Sequence, residues 1–94
     1  MKIIFLLALA PAFSSAWTFT YGSPARVDNG RRNRDCTNIW NAEGTTFEWD
    51  RGRRESCCIH LYADRRCRRQ SGYSCRDWRD RASHDIRAYT VTDC

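Results

Sequence analysis

The sequence predicts a small disulfide-rich domain, all-β or β-dominated, of about five short strands with room for one short helical turn. Three observations carry this expectation. Six cysteines fall in a chain of 94 residues that begins like a secreted protein, aliphatic residues are scarce, and several segments alternate side chains with the period of two that a pleated strand imposes.

The compartment comes first, because it decides what the cysteines are for. Lys2 precedes the apolar run IIFLLALA, then Pro11, then a small-residue tail ending in Ser14, Ser15 and Ala16. These are the n-region, h-region and cleavage site of a secretory signal peptide over residues 1–16. The run is much shorter than the roughly 20 apolar residues that span a bilayer, and no later segment is apolar enough to do so. Cleavage after Ala16 leaves 78 residues starting at Trp17, and Ala10-Pro11-Ala12 offers a second site after Ala12. The expected location is therefore extracellular.

Cys36, Cys57, Cys58, Cys67, Cys75 and Cys94 all lie beyond the leader, and an even count in a short secreted chain reads as three disulfides. No C-x-x-C or H-x-x-x-H pair supplies the ligand spacing that closes a zinc site, so neither a metal nor a cofactor is expected. Without Lys2, fifteen arginines face eleven acids, a formal charge of +4. Past Trp17 the aliphatic side chains larger than alanine are Val27, Ile39, Ile59, Leu61, Ile86 and Val91. Aromatics and cystines must therefore build much of the core, and Trp40, Trp49 and Trp78 are expected inside it.

In chain order, WTFTY (17–21) alternates like a strand. Gly22 to Asp35, with a proline, two glycines and one aliphatic residue, reads as a flexible basic arm, which divides the mature chain into 17–35 and a cysteine-stapled domain at 36–94. TNIWNA and TTFEW flank Glu43-Gly44 and read as a hairpin, followed by a polar turn from Asp50 to Glu55. In SCCIHLYA (56–63), Cys57, Ile59 and Leu61 fall on one strand face, with Cys58, His60 and Tyr62 on the other. Cys57 and Cys58 thus point to opposite sides and should not pair with each other. Cys94 is expected to reach Cys36 or Cys57, and Cys58 to pair within the Cys67 and Cys75 region. Cys67 and Cys75 bracket a polar loop, Arg76 to Asp85 reads as a helical turn or irregular loop around Trp78, and IRAYTVT (86–92) is a final strand. No sequence repeat is visible.

Signal peptide, six cysteines and a terminal cysteine together resemble the small cysteine-rich proteins secreted by filamentous fungi, which implies an effector or toxin-like role. A narrower likeness covers Ile59 to Val91, where IHLYADRRC followed by DIRAYTV is similar to a βγ-crystallin-type Greek-key motif. Tyr62, Asp64, Ile86 and Val91 fit it. Cys67 replaces the motif's aromatic and Arg69 its glycine, and no serine beside Asp85 matches the calcium-binding one, so calcium is not carried over.

The segment that stands out chemically is Asp64 to Arg69, where Arg65, Arg66, Arg68 and Arg69 surround a cysteine. Guanidinium groups bind two oxygens at once, which suits phosphate, sulfate, carboxylate and anionic surfaces. These four are the candidate binding residues for an anionic extracellular or host target, be it glycan, membrane surface or protein. A nucleic acid is not expected, because its usual aromatic platform is assigned to the core. No spacing assembles a catalytic centre, so no catalytic residue is assigned. The alternatives are a metal-independent ribonuclease using His60 and His84 with a carboxylate among Glu43, Glu48 and Glu55, and a cationic antimicrobial acting on anionic membranes. The chain is expected to be a monomer. Arg31-Arg32 in the arm is a candidate processing site.

Overall fold

The computed structural model describes residues 16–52 and 56–94. The leader, apart from Ala16, and Arg53 to Glu55 of the polar turn lie outside the described residues. The rest is all-β, as expected, with eight strands instead of five: β1 (Trp17–Tyr21), β2 (Arg26–Gly30), β3 (Arg34–Asn41), β4 (Thr46–Asp50), β5 (Cys58–Tyr62), β6 (Gln70–Ser74), β7 (Trp78–Arg81) and β8 (Ile86–Thr92).

The strands form two four-stranded antiparallel sheets in the orders β2-β1-β4-β7 and β3-β8-β5-β6. In each half of the chain the fourth strand lies beside the first, which is the Greek-key relation, while the third crosses to the facing sheet. Strand n and strand n+4 occupy equivalent places, so a chain without a sequence repeat folds as two interlocked four-strand units. β3 and β4 are therefore not the hairpin expected around Glu43-Gly44, because they belong to different sheets. The turn between them instead docks on its equivalent between β7 and β8. Gly44 N donates to Ala82 O (2.8 Å), Ala82 N to Thr45 O (3.1 Å), and Glu43 N to the Asp85 carboxylate (2.8 Å).

Three further expectations are corrected. The basic arm contains β2, paired along its length with β1, so 17–35 shares a sheet with the remainder. The Cys67–Cys75 loop contains β6, and the helical turn around Trp78 is β7. All three strands sit at sheet edges, and their exposed, polar side chains lack the one-sided alternation that marks a half-buried strand.

The core lies between the central strands. Trp17, Phe19 and Tyr21 of β1 with Phe47 and Trp49 of β4 give one sheet an aromatic inner face, while Ile59, Leu61, Ile86 and Val91 with Tyr89 give the other a mainly aliphatic one. Trp78 is half-buried against this core, closing its edge beside β6. A Cβ on Gly72 would come within 2.8 Å of the Trp78 ring, so glycine is what admits that ring. Trp40, contrary to expectation, is 52% exposed.

Two polar clusters are enclosed with the aromatics. Asn41 is fully buried: its Oδ1 accepts from Gly22 N (2.8 Å) and its Nδ2 donates to Thr45 O (3.2 Å). The Tyr89 hydroxyl donates to Asp28 of β2 (2.7 Å) and accepts from Arg34 Nη1 (3.1 Å), and Arg34 lies over the Trp17 ring. Burial first, and the Asp28 carboxylate second, hold the Tyr89 phenol well above its ordinary value.

The disulfides are Cys36–Cys67, Cys57–Cys94 and Cys58–Cys75. Cys57 and Cys58 leave opposite faces of β5, as the period of two requires, and Cys94 takes the second of the two partners left open for it. Each bridge closes a loop whose entropy corresponds to about 3 to 4 kcal/mol.

Two outcomes follow for stability. Replacing Asn41 by alanine orphans the Gly22 amide and leaves the Thr45 carbonyl with Ala82 N as its donor, and should lower the unfolding free energy by about 1 to 3 kcal/mol in a denaturant titration. A phenol whose folded-state value is raised stabilises the fold fully below pH 10 and loses that contribution as pH rises further. Unfolding free energy should therefore fall above pH 10 by up to about 1.4 kcal/mol per pH unit for Tyr89, and Tyr89→Phe should flatten that part of the profile.

Candidate functional site

The arginine-rich segment becomes the loop between β5 and β6, and three features fix its backbone. Ala63 N donates to Arg69 O (2.9 Å), closing the loop at its base. The Asp64 carboxylate turns inward and accepts from the amides of Arg66 (3.3 Å), Arg68 (3.0 Å) and Arg69 (2.8 Å). These amide hydrogen bonds, that of Arg69 foremost, hold the Asp64 carboxyl below its ordinary value. Cys67 takes a left-handed φ of 57°, which costs a residue bearing a Cβ roughly 1 to 2 kcal/mol and is held by the bridge to Cys36. With its left-handed residue at Cys67 and its amides gathered by Asp64, the loop turns without a glycine between Asp64 and Arg69.

From β5 the loop reaches over the outer face of the sheet to β3. There Asn38 Nδ2 donates to Arg65 O (2.7 Å) and Cys36 forms its bridge. Ala88 lies on that outer face between Asn38 and Tyr62 in register, and it is fully buried where the loop crosses. Arg65, Arg66, Arg68 and Arg69 are all exposed, and among the described residues their guanidinium groups have no hydrogen-bond or ion-pair partner. The one acid of the segment accepts from the backbone and pairs with none of the guanidinium groups, so the loop projects four of them with a net charge of +3.

The structure does not bring the candidate catalytic residues together. His60 lies on the outer face of β5 with Nδ1 2.8 Å from Gln70 Oε1 and Nε2 2.9 Å from Thr92 Oγ1, and its ring is 4.7 Å from that of Tyr73. His84 is in the β7–β8 turn, 3.1 Å from the Ser83 hydroxyl, beside a cleft of about 50 Å³ that Ser71, Asp80 and Arg81 share and His60 does not. Glu48 is exposed on β4, Glu43 is exposed in the β3–β4 turn, and Glu55 lies outside the described residues. Arg31-Arg32 is exposed in the β2–β3 turn, where Arg32 O accepts from the buried Trp17 indole (3.0 Å). A cut there would detach β1, and with it Trp17, Phe19 and Tyr21 of the core.

One residue that sequence reasoning assigned to the core belongs to the surface near the loop. Trp40 is on the same outward side of β3 as Asn38, and the Arg87 guanidinium lies 4.9 Å from its ring centre. The signal was present in the sequence, since Ile39 and Trp40 are neighbours on a strand and cannot both face inward.

No family model matches the chain, and no curated protein or solved structure matches it either. Among the described residues no helix is long and apolar enough to cross a membrane, and no group of three or more His, Cys, Asp or Glu side chains is placed to hold a metal ion.

Replacing Asp64 by asparagine should loosen the loop and leave the sandwich folded. Hydrogen exchange should show the Arg66, Arg68 and Arg69 amides losing protection while β5 and β8 amides keep theirs. Because the folded-state value of Asp64 is lowered, its contribution is present above the ordinary carboxyl value near 3.8 and is lost as pH falls through the folded one. The wild-type loop should show the same loss of protection in acid.

Proposed function

We propose that this chain is a secreted, disulfide-stabilised binding protein of the effector or toxin-like kind, and that it engages an external target through the loop carrying Arg65, Arg66, Arg68 and Arg69. The observation that carries this reading is the mismatch between a well-fixed backbone and four unpaired cations. A disulfide, a left-handed cysteine and a fully used carboxylate order this loop, yet none of its guanidinium groups serves the fold. A fixed backbone leaves only the arginine side chains to be ordered on binding, which favours recognition of a phosphate, sulfate or carboxylate target.

Three disulfides in so small a domain support an oxidising destination, in line with the leader over residues 1–16. The Greek-key relation among β5 to β8 supports the crystallin-type likeness over 59–91. That likeness concerns architecture, and the calcium chemistry of that family forms no part of the proposal.

Saturable binding of the labelled, oxidised protein to target cells tests the reading. The Arg65/Arg66/Arg68/Arg69→Ala variant should bind at least tenfold more weakly, and raised salt should weaken the wild type. Equal binding by both proteins, with their disulfides intact, would remove the loop from the site. RNA cleavage abolished by His60→Ala or His84→Ala would replace the reading with the enzymatic one, and salt-sensitive leakage of anionic vesicles would replace it with the antimicrobial one.

A further inference from the structure

Beside the arginine loop runs a groove of about 390 Å³, formed where the β1–β2 turn approaches β3. Ser23, Pro24, Arg26, Asn38, Ile39 and Trp40 line it together with Tyr21 and Gly22, and no carboxylate is among its lining residues. Asn38 joins it to the loop, because the same side chain that lines the groove donates to Arg65 O. Arg26 on one side and Arg87 over Trp40 on the other extend the positive charge of the loop around an exposed indole.

We propose that this surface binds an acidic polysaccharide, with one sugar ring stacked on the face of Trp40 that Arg87 leaves open, the carboxylate or sulfate group of that sugar held by Arg26, and those of its neighbours by Arg87 and the arginine loop. The inference rests on the binding role proposed for that loop and names the chemical class of its target. A pyranose ring offers an apolar C–H face to the indole and hydroxyl groups around its rim, for which Ser23 and Asn38 supply polar partners. Its acidic substituents lie in the plane of the ring, where a guanidinium at the edge of the platform meets them with two parallel hydrogen bonds.

The arrangement fits a glycan better than a single-stranded nucleic acid. Strands of nucleic acid are held by several aromatics on which successive bases stack. Here Arg87 occupies one face of Trp40, which leaves a single stacking surface. The other large exposed aromatic among the described residues, Tyr73, is on β6 at the opposite edge of the same sheet, three strand spacings or about 14 Å away. One platform set among several cations matches one ring and many charges.

The test uses the oxidised protein as secreted, with tryptophan fluorescence and calorimetry as readouts and four probes: a polyuronate oligomer, a sulfated oligosaccharide, a neutral glucan and a single-stranded oligouridylate. At least one acidic oligosaccharide should bind and shift the emission of Trp40, and the neutral glucan should not. Trp40→Ala should weaken that binding at least tenfold, Trp40→Phe should recover part of it, and Arg87→Ala should weaken it severalfold. A preference between the uronate and the sulfate probes identifies the acidic group. Tighter binding of oligouridylate than of either acidic sugar, or no binding of any probe, would overturn the proposal. So would full affinity in the Trp40→Ala protein. If the quadruple arginine variant still lost cell binding in that last case, the loop reading would stand while the glycan site fell.

Discussion

A strand points successive side chains to opposite faces, and at Cys57 and Cys58 this constraint organises half of the molecule. Cys57 enters the core and takes Cys94 at the end of β8, while Cys58 leaves by the outer face and takes Cys75 at the end of β6. β5 is thereby stapled to both of its neighbours. The third bridge ties β3 to the β5–β6 loop, so every disulfide belongs to the sheet β3-β8-β5-β6. The facing sheet has no cysteine in its strands and depends on five buried aromatics from β1 and β4. A domain of this size buries too little surface to be comfortably stable unaided, and the covalent help is concentrated on the sheet whose inner face is mainly aliphatic.

The interlocked connectivity lets one stapled sheet support the other. β3 is held in the cross-linked sheet and delivers the chain directly into β4 of the aromatic one, and β7 makes the reverse crossing into β8. Where the two crossings meet, the β3–β4 and β7–β8 turns satisfy one another's backbone groups and buried Asn41 anchors the adjacent β1–β2 turn. Tyr89, Asp28 and Arg34 make a second cross-sheet tie at β2. Buried polar groups like these are costly when unpaired, so the register that pairs all of them is favoured over neighbouring registers.

The sequence is legible where a strand turns apolar side chains to the core, edge strand β3 included, and opaque where an edge strand is polar. β1, β5 and β8 each carry apolar residues on the face toward the core, and alternation located them. β2, β6 and β7 are held by backbone pairing at sheet edges, and backbone groups leave no trace in composition. Gly72 looked like a loop residue when it in fact makes room for the Trp78 ring. The separation of Cys57 from Cys58 followed from the period alone, whereas the choice of Cys57 over Cys36 for Cys94 needed the strand order. The arginine loop was visible as a charge cluster, but its rigidity depends on Asp64 reaching three amides and on Cys67 adopting a left-handed conformation.

The period that separated the two cysteines also separates Ile39 from Trp40. Ile39 packs toward the core and Asn41 is buried, so Trp40 between them is turned outward, even on a strand whose pairing with β8 shifts register twice. With so few aliphatic residues available, a tryptophan on the surface forgoes burial worth about 2 to 3 kcal/mol. A solvated position could carry a polar residue without that loss. What the position does offer is a flat apolar ring held under Arg87, beside a loop whose cations have no internal partner. Two features that the fold does not use thus sit side by side, and Asn38, two residues from Trp40 and hydrogen-bonded to Arg65 O, joins them.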